Sequence, residues 1–313
     1  LTGTVKVDGS STVLPLSRVI ADAFEGMNPA VKVAVDVSGS GSGFRKLCAG
    51  QIDIADASRP INVVEGEECK AHQIEYVELP IAFDSISVVV SAKNTFVDCL
   101  KVSELKTIWE PAAEGKIKTW DQVRSTFPAR PLTLLGPGKD SGTFDYFSLA
   151  IVGTESSGRS DYTRSEDDTV IERGVASDPD ALGYFGYAYY AANKERLKLV
   201  GVDSGHGCVL PSAKTVTDAT YQPLLRPLFI YVNAAAARRP EVNAFARFYL
   251  ASESTRFVTA VGYVPLSSAA LAARSSRFAK GVSGSALGGH GSVTGVTFNA
   301  FDDDDPNKAL LVQ

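Results

Sequence analysis

The sequence predicts an α/β protein of two domains joined by two long crossing strands. Three observations carry that reading. The first sixty or so residues repeat a strand–helix rhythm. Two strongly β-branched runs, Asp84–Ala92 and Arg226–Asn233, stand far apart with a complete α/β segment between them. The length, 313 residues, suits about two domains. The expected division is 1–85 plus 232–285 for a discontinuous first domain and 86–231 for the second. A Gly-rich and acidic C-terminal extension, 286–313, follows.

Val5 and Val7 give the first strand. Val13, Leu16, Ile20, Ala23, Phe24 and Met27 then recur at helical spacing, and Asn28-Pro29 stops that helix. Val31, Val33, Val35 and Val37 alternate as a second strand. "GSGSGFRKLCAG" opens a second helix that Gly50 closes, and "IDIADAS" is a short third strand. This βαβαβ order implies a parallel sheet with its loops gathered at the C-terminal edge of the strands. In the middle segment the pattern places helices near Ser103–Trp109, Trp120–Thr126 and Thr143–Gly153, with the strand "LTLLGP" before the last. "DALGYFGYAYYAANK" reads as a turn and an aromatic-rich helix; helices at Pro240–Ala251 and Ser254–Gly262 follow the second β-branched run. Trp109 and Trp120 lie in helical surroundings and read as packing residues.

A net charge of −5 gives no whole-molecule attraction for nucleic acid or an acidic membrane. No run of about 18 apolar residues is present to span a membrane. Four cysteines without a CxxC, and only three histidines, speak against a zinc site. Two disulfides in an exported protein fit better. Pairing Cys48 with Cys69 and Cys99 with Cys208 keeps each bridge within one expected domain; other pairings remain open. Asp302–Asp305 form an acidic run without an EF-hand pattern, which reads as a solvated run.

One local arrangement occurs three times. "DGSSTVLPL" puts Ser10, Ser11 and Thr12 at the start of the first helix, with Pro15 in its first turn. "SGSGSGF" puts Ser38, Ser40 and Ser42 at the start of the second, and "KDSGTF" puts Ser141, Gly142 and Thr143 at the start of a helix in the other domain. A helix N-terminus has free N–H groups and about half a positive charge. Glycine lets the backbone approach a ligand, and hydroxyls add donors without bulk. Any one of these is an ordinary N-cap. Three, at βα loops of two domains, point to an anion held in an interdomain cleft. Neither a Walker loop nor a dinucleotide fingerprint is present.

"GSSTVLPL", "GSGSGF", "DIADASRPI", "GPGKDSGTFDYF", "GYFGYAYY" and "PLFIYV", in this order between about Val5 and Gly284, resemble the periplasmic phosphate-binding protein of ABC phosphate transporters (PstS type). The resemblance implies a Venus-flytrap fold, one buried inorganic phosphate, delivery to an ABC permease, a monomer, no cofactor, and a periplasmic or extracytoplasmic location after signal removal. It places phosphate contacts at Thr12 and Val13 with Ser11 adjacent, at Ser40, and at Ser141, Gly142 and Thr143. Val13 would contribute its backbone N–H alone. Two positions depart from the family pattern. Where it has an Asp after the third strand this chain has Ser58, followed by Arg59; where it has an Arg before the Ser-Gly-Thr loop this chain has Pro137. Arg59 is expected to supply the missing cation. Asp140 or Asp56 is expected to supply the carboxylate that accepts the phosphate's proton; Asp145 is the weaker candidate, as it suits a helix first turn.

No catalytic residue is assigned. The alternative readings are a secreted phosphate-ester hydrolase and a binding protein for another oxyanion such as sulfate. The first lacks a GxSxG elbow and a dense Asp/His set for two metals, and His72 and His206 lie in polar loop contexts. The second turns on whether a carboxylate faces the anion.

Overall fold

A computed structural model of the chain describes Leu1–Asp302. Asp303–Asp305 of the acidic run lie outside the described residues. The first lobe runs β1 (Gly3–Gly9), α1 (Leu14–Met27), β2 (Val31–Val35), α2 (Ser40–Cys48), β3 (Ile54–Ala57), α3 (Val63–Ala71) and β4 (Tyr76–Ser91). The second lobe follows with β5 (Cys99–Lys101), α4 (Val102–Trp109), β6 (Thr133–Pro137), α5 (Gly142–Phe147), β7 (Thr163–Ser165), α6 (Asp168–Ser177), β8 (Ala181–Gly186), α7 (Tyr187–Ala191), β9 (Leu197–Leu199), β10 (Gly201–Asp203), β11 (Cys208–Val209) and α8 (Ala213–Thr217). The chain then returns through β12 (Leu225–Asn233) to α9 (Pro240–Tyr249), α10 (Thr255–Ala260), β13 (Val264–Pro265) and α11 (Ser268–Ala279).

β1 pairs in parallel with β2 and β3, as the βαβαβ rhythm requires. β4 is the strand common to both lobes. Its first part pairs antiparallel with β12, from Asn233 against Tyr76 to Leu225 against Ser85. Its second part, from Ile86, pairs antiparallel with β8, which in turn lies parallel to β6. The two β-branched runs therefore mark where the chain leaves the first lobe and where it comes back. Val5, Val7, Leu16, Ile20, Phe24 and Ile230 are sealed in the first core; Val88, Trp109, Trp120, Phe147 and Tyr184 are sealed in the second.

Two local expectations are corrected. Ala181–Gly186 is a strand rather than a turn: all six residues are buried, and a short apolar run without alternating polar positions gives no period to distinguish the two. The helix expected over Trp120–Thr126 is a single 3-10 turn, Trp120–Gln122, which lets Trp120 and Phe127 meet edge-on in the second core.

Cys48 bonds Cys69 and Cys99 bonds Cys208, one bridge in each lobe. The described part of the C-terminal extension packs against the body. Buried Glu78 accepts the amides of Ala286 and Leu287 and the hydroxyls of Ser285 and Tyr231. Phe298 and Phe301 lie against Phe83. Ser292 reaches the second lobe, donating through Oγ to Glu155 at 2.6 Å. Among the described residues no helix is long and apolar enough to cross a membrane.

Candidate functional site

The three hydroxyl-rich helix starts converge on one seam between the lobes. Thr12, before α1, lies with its Oγ1 3.1 Å from Thr143 Oγ1 of α5. Ser40, at the start of α2, accepts the Ser58 amide at 3.1 Å, and their hydroxyls are 3.3 Å apart. Ser11, Thr12, Ser40, Ser58, Ser141 and Thr143 are all buried. Gly142 faces the other lobe so closely that a Cβ there would stand 2.7 Å from Ser40 Oγ and 2.8 Å from Ser58 Oγ. Ser141 caps α5 through the Thr143 amide. The amides of Ser11, Thr12, Val13, Ser40 and Gly142 have no acceptor among the described residues. This is the donor surplus expected of helix starts.

The cation of the seam is Arg226, at the start of β12, and the sequence reading missed it. Its side chain is fully buried. Nη2 donates to Thr12 Oγ1 at 3.1 Å and Nη1 to the Ser58 carbonyl at 3.3 Å. Nε and Nη2 both reach Asp84 Oδ2. One hydrogen-bonded path therefore runs Thr143–Thr12–Arg226–Ser58–Ser40 and joins five places in the sequence. An arginine inside an apolar eight-residue β run was the available signal: a charge there has to be paired or used.

Arg59 is not that cation. Its Nε is held by Asp145 of the second lobe at 2.6 Å, and both terminal nitrogens are held by Glu65, at 2.8 and 2.7 Å. A guanidinium so enclosed by carboxylates has no fork left for an anion. It serves instead as an ionic tie between the lobes.

The proposed acceptors are displaced as well. Asp140 is at the rim; its carboxylate is half-exposed and pairs with Arg45 of the first lobe at 2.8 Å. Its carbonyl accepts the Gly41 amide at 2.9 Å. Asp56 turns beneath α1, where Ser17 donates to it at 2.6 Å, and burial pushes its carboxyl up to about 8. Asp145 spends both oxygens on Arg59 and Ser156.

A different acid meets the requirement. Asp168, the first residue of α6, is fully buried, and neither carboxylate oxygen has a hydrogen-bond partner at proper geometry. It faces the Ser11 hydroxyl, the Gly186 amide, Arg226 and Asp84. Burial raises its pKa to about 7, against the pull of Arg226 and Ser11. The sequence "SEDDTV" concealed it, because Asp167 and Asp168 both read as acids suited to a helix start. Asp167 is that cap, accepting the Thr169 amide.

A strand shared by two α/β lobes and a sealed polar seam between them are the marks of the two-lobed solute-binding proteins. Residues 1–253 match the PBP superfamily domain. The SphX protein of Synechocystis sp. is 50% identical over 91% of this chain and 85% of its own length. The phosphate-binding protein PstS of Staphylococcus aureus is 36% identical over 84% of this chain and 79% of its own length. A crystal structure of a possible phosphate binding protein from Planctomyces limnophilus superposes with a TM-score of 0.65 at 42% identity, covering 90% of this chain and 99% of that one. The chain belongs to the PBP superfamily and, within it, to the PstS-type phosphate-binding proteins.

Proposed function

We propose that this chain captures inorganic phosphate in the seam and delivers it to the permease of an ABC transporter, working outside the cytoplasm as a monomer. On this reading it is a carrier rather than an enzyme and binds no nucleic acid. The relatives named for phosphate binding support it, and the pairing of one cation with one unpartnered acid carries it. Near neutral pH phosphate is mostly HPO4²⁻. Arg226 and the amides of Thr12, Val13, Ser40 and Gly142 would meet its charged oxygens, with the hydroxyls of Ser11, Thr12, Ser40, Ser58, Ser141 and Thr143 around them. Asp168 would accept the one proton the ion retains.

Sulfate carries no proton for Asp168, so its oxygen would confront a carboxylate in a buried site. An uncompensated buried charge costs several kcal/mol, on the order of 10³-fold in affinity. Binding would favour the closed form, because the donors sit on both lobes.

Calorimetric titration with phosphate, arsenate and sulfate from about pH 5 to pH 9 tests the proposal. We expect phosphate and arsenate to bind tightly and, above about pH 7 where Asp168 is ionised, sulfate to bind on the order of 10³-fold more weakly; toward about pH 5, where Asp168 holds a proton of its own, the gap should close. Replacing Asp168 by Asn should narrow that gap. Sulfate binding as tight as phosphate above about pH 7 would overturn the reading.

A further inference from the structure

We propose that Tyr189 and Tyr263 are positioning residues that aim the amides of Thr12 and Val13 at the bound anion. This rests on the phosphate reading above. The Tyr189 hydroxyl, on α7, donates to the Ser11 carbonyl at 2.7 Å. The Tyr263 hydroxyl, just before β13, donates to the Thr12 carbonyl at 2.6 Å.

A trans peptide unit points its C=O and its N–H in opposite directions. Fixing the Ser11 carbonyl therefore fixes the Thr12 amide, and fixing the Thr12 carbonyl fixes the Val13 amide. Both amides lack an acceptor among the described residues. A hydrogen bond on the carbonyl also polarises the N–H of the same unit, strengthening it as a donor.

The sequence of the loop explains why outside donors are needed. The Ser11 carbonyl would ordinarily receive the amide of residue 15, but that residue is Pro15, which has none. The Thr12 carbonyl would receive the amide of Leu16, which goes instead to Val13 at 3.0 Å. Neighbouring carbonyls are served by the helix, since Leu14 donates to Ser10 and Ser17 to Val13. The two left over are the two that the tyrosines take.

The motif "GYFGYAYY" is shaped for this contact. A Cβ on Gly186 would stand 2.6 Å from Thr12 Cγ2 and 3.3 Å from Tyr263 Oη. Gly186 is thus where the loop, Tyr263 and the end of β8 meet, and Tyr189 follows one helical turn later.

The test uses Tyr189→Phe and Tyr263→Phe in the full chain, with inorganic phosphate as probe. Each lost hydrogen bond should weaken phosphate binding about fivefold. Amide proton shifts in the phosphate-saturated protein give a readout that general loosening would not reproduce. Tyr189→Phe should move the Thr12 amide upfield, and Tyr263→Phe the Val13 amide. Affinities equal to wild type, or shifts that do not follow this pairing, would overturn the assignment. If Tyr263→Phe fails to fold, the half-buried Tyr189 carries the test by itself. A wild-type protein that binds no phosphate in the same titration would refute the phosphate reading instead.

Discussion

Arg226 places both Nε and Nη2 on a single oxygen of Asp84, at 3.0 and 2.9 Å, with both side chains wholly shielded from solvent. The other Asp84 oxygen accepts the Tyr187 amide at 3.0 Å. The pair joins β12 to β4 beside the point where β4 passes from one lobe to the other. It also leaves Nη1 and part of Nη2 turned toward Ser58 and Thr12.

Removing one partner of a buried ion pair strands the other, at about 3–5 kcal/mol. Asp84→Asn should therefore lower the unfolding free energy by that order in urea titrations. It should also enlarge the rise in melting temperature that phosphate produces, because the freed guanidinium charge then has the anion as its partner. Arg226→Gln should abolish that rise. Wild-type phosphate stabilisation in the Arg226→Gln variant would remove Arg226 from the site.

Asp168 sets a pH dependence of stability in the absence of anion. Burial raises it from the ordinary 3.8 to about 7. Between those values the folded chain holds a proton that the unfolded chain has released, so stability falls as pH rises through this window and levels off above it. Asp56, raised to about 8, has the same sign and stays in the variant. Subtracting the Asp168→Asn curve from wild type isolates the contribution: wild type should lose stability relative to the variant between about pH 4 and pH 7. Parallel curves would mean that Asp168 is ionised in the folded protein.

Arg59 makes a different demand. Arg59→Met leaves Glu65 and Asp145 facing each other inside the protein and should destabilise it by about 3–5 kcal/mol. Adding Glu65→Gln and Asp145→Asn removes the stranded charges and should recover much of that loss. The triple variant lacks the tie between the lobes, so its phosphate affinity should fall, by less than about tenfold. A loss of about 10³-fold, about 4 kcal/mol, would return Arg59 to the anion site.

These residues show which parts of the candidate site could be read from the chain alone. Ser11, Thr12, Ser40 and Ser141–Thr143 were legible because a helix start is a local event, written in a few adjacent residues. The shared strand was legible for a similar reason, since a β-branched run needs no distant context. The charged members were not. Arg59 stands next to Ser58 in sequence, yet its partner Asp145 is 86 residues away, and nothing local tells a spent guanidinium from an available one. Arg226 sits in a run already explained as a buried strand, and Asp168 opens α6, a helix that the sequence reading did not pick out. Only their meeting in space makes them candidates for the proposed anion site.

Gly142 separates closure from folding. Its backbone is the first residue of α5, where alanine fits the helix as well as glycine or better, so the second lobe should tolerate Gly142→Ala. The closed molecule should not. The added methyl would stand 2.7 Å from Ser40 Oγ, 2.8 Å from Ser58 Oγ and 3.0 Å from Arg59 Cγ, all on the opposite lobe. Apparent affinity scales with the fraction of molecules able to close, so cutting that fraction tenfold weakens phosphate binding about tenfold. We expect at least that loss by calorimetry, together with a larger radius of gyration than wild type at saturating phosphate. Gly153→Ala is the matched control. Gly153 has φ +97 with open space around its Cβ position, so alanine should cost about 1 kcal/mol of stability through backbone strain and leave binding alone. If Gly142→Ala bound phosphate as tightly as Gly153→Ala, the direct approach of the lobes at Gly142 would not be required for capture.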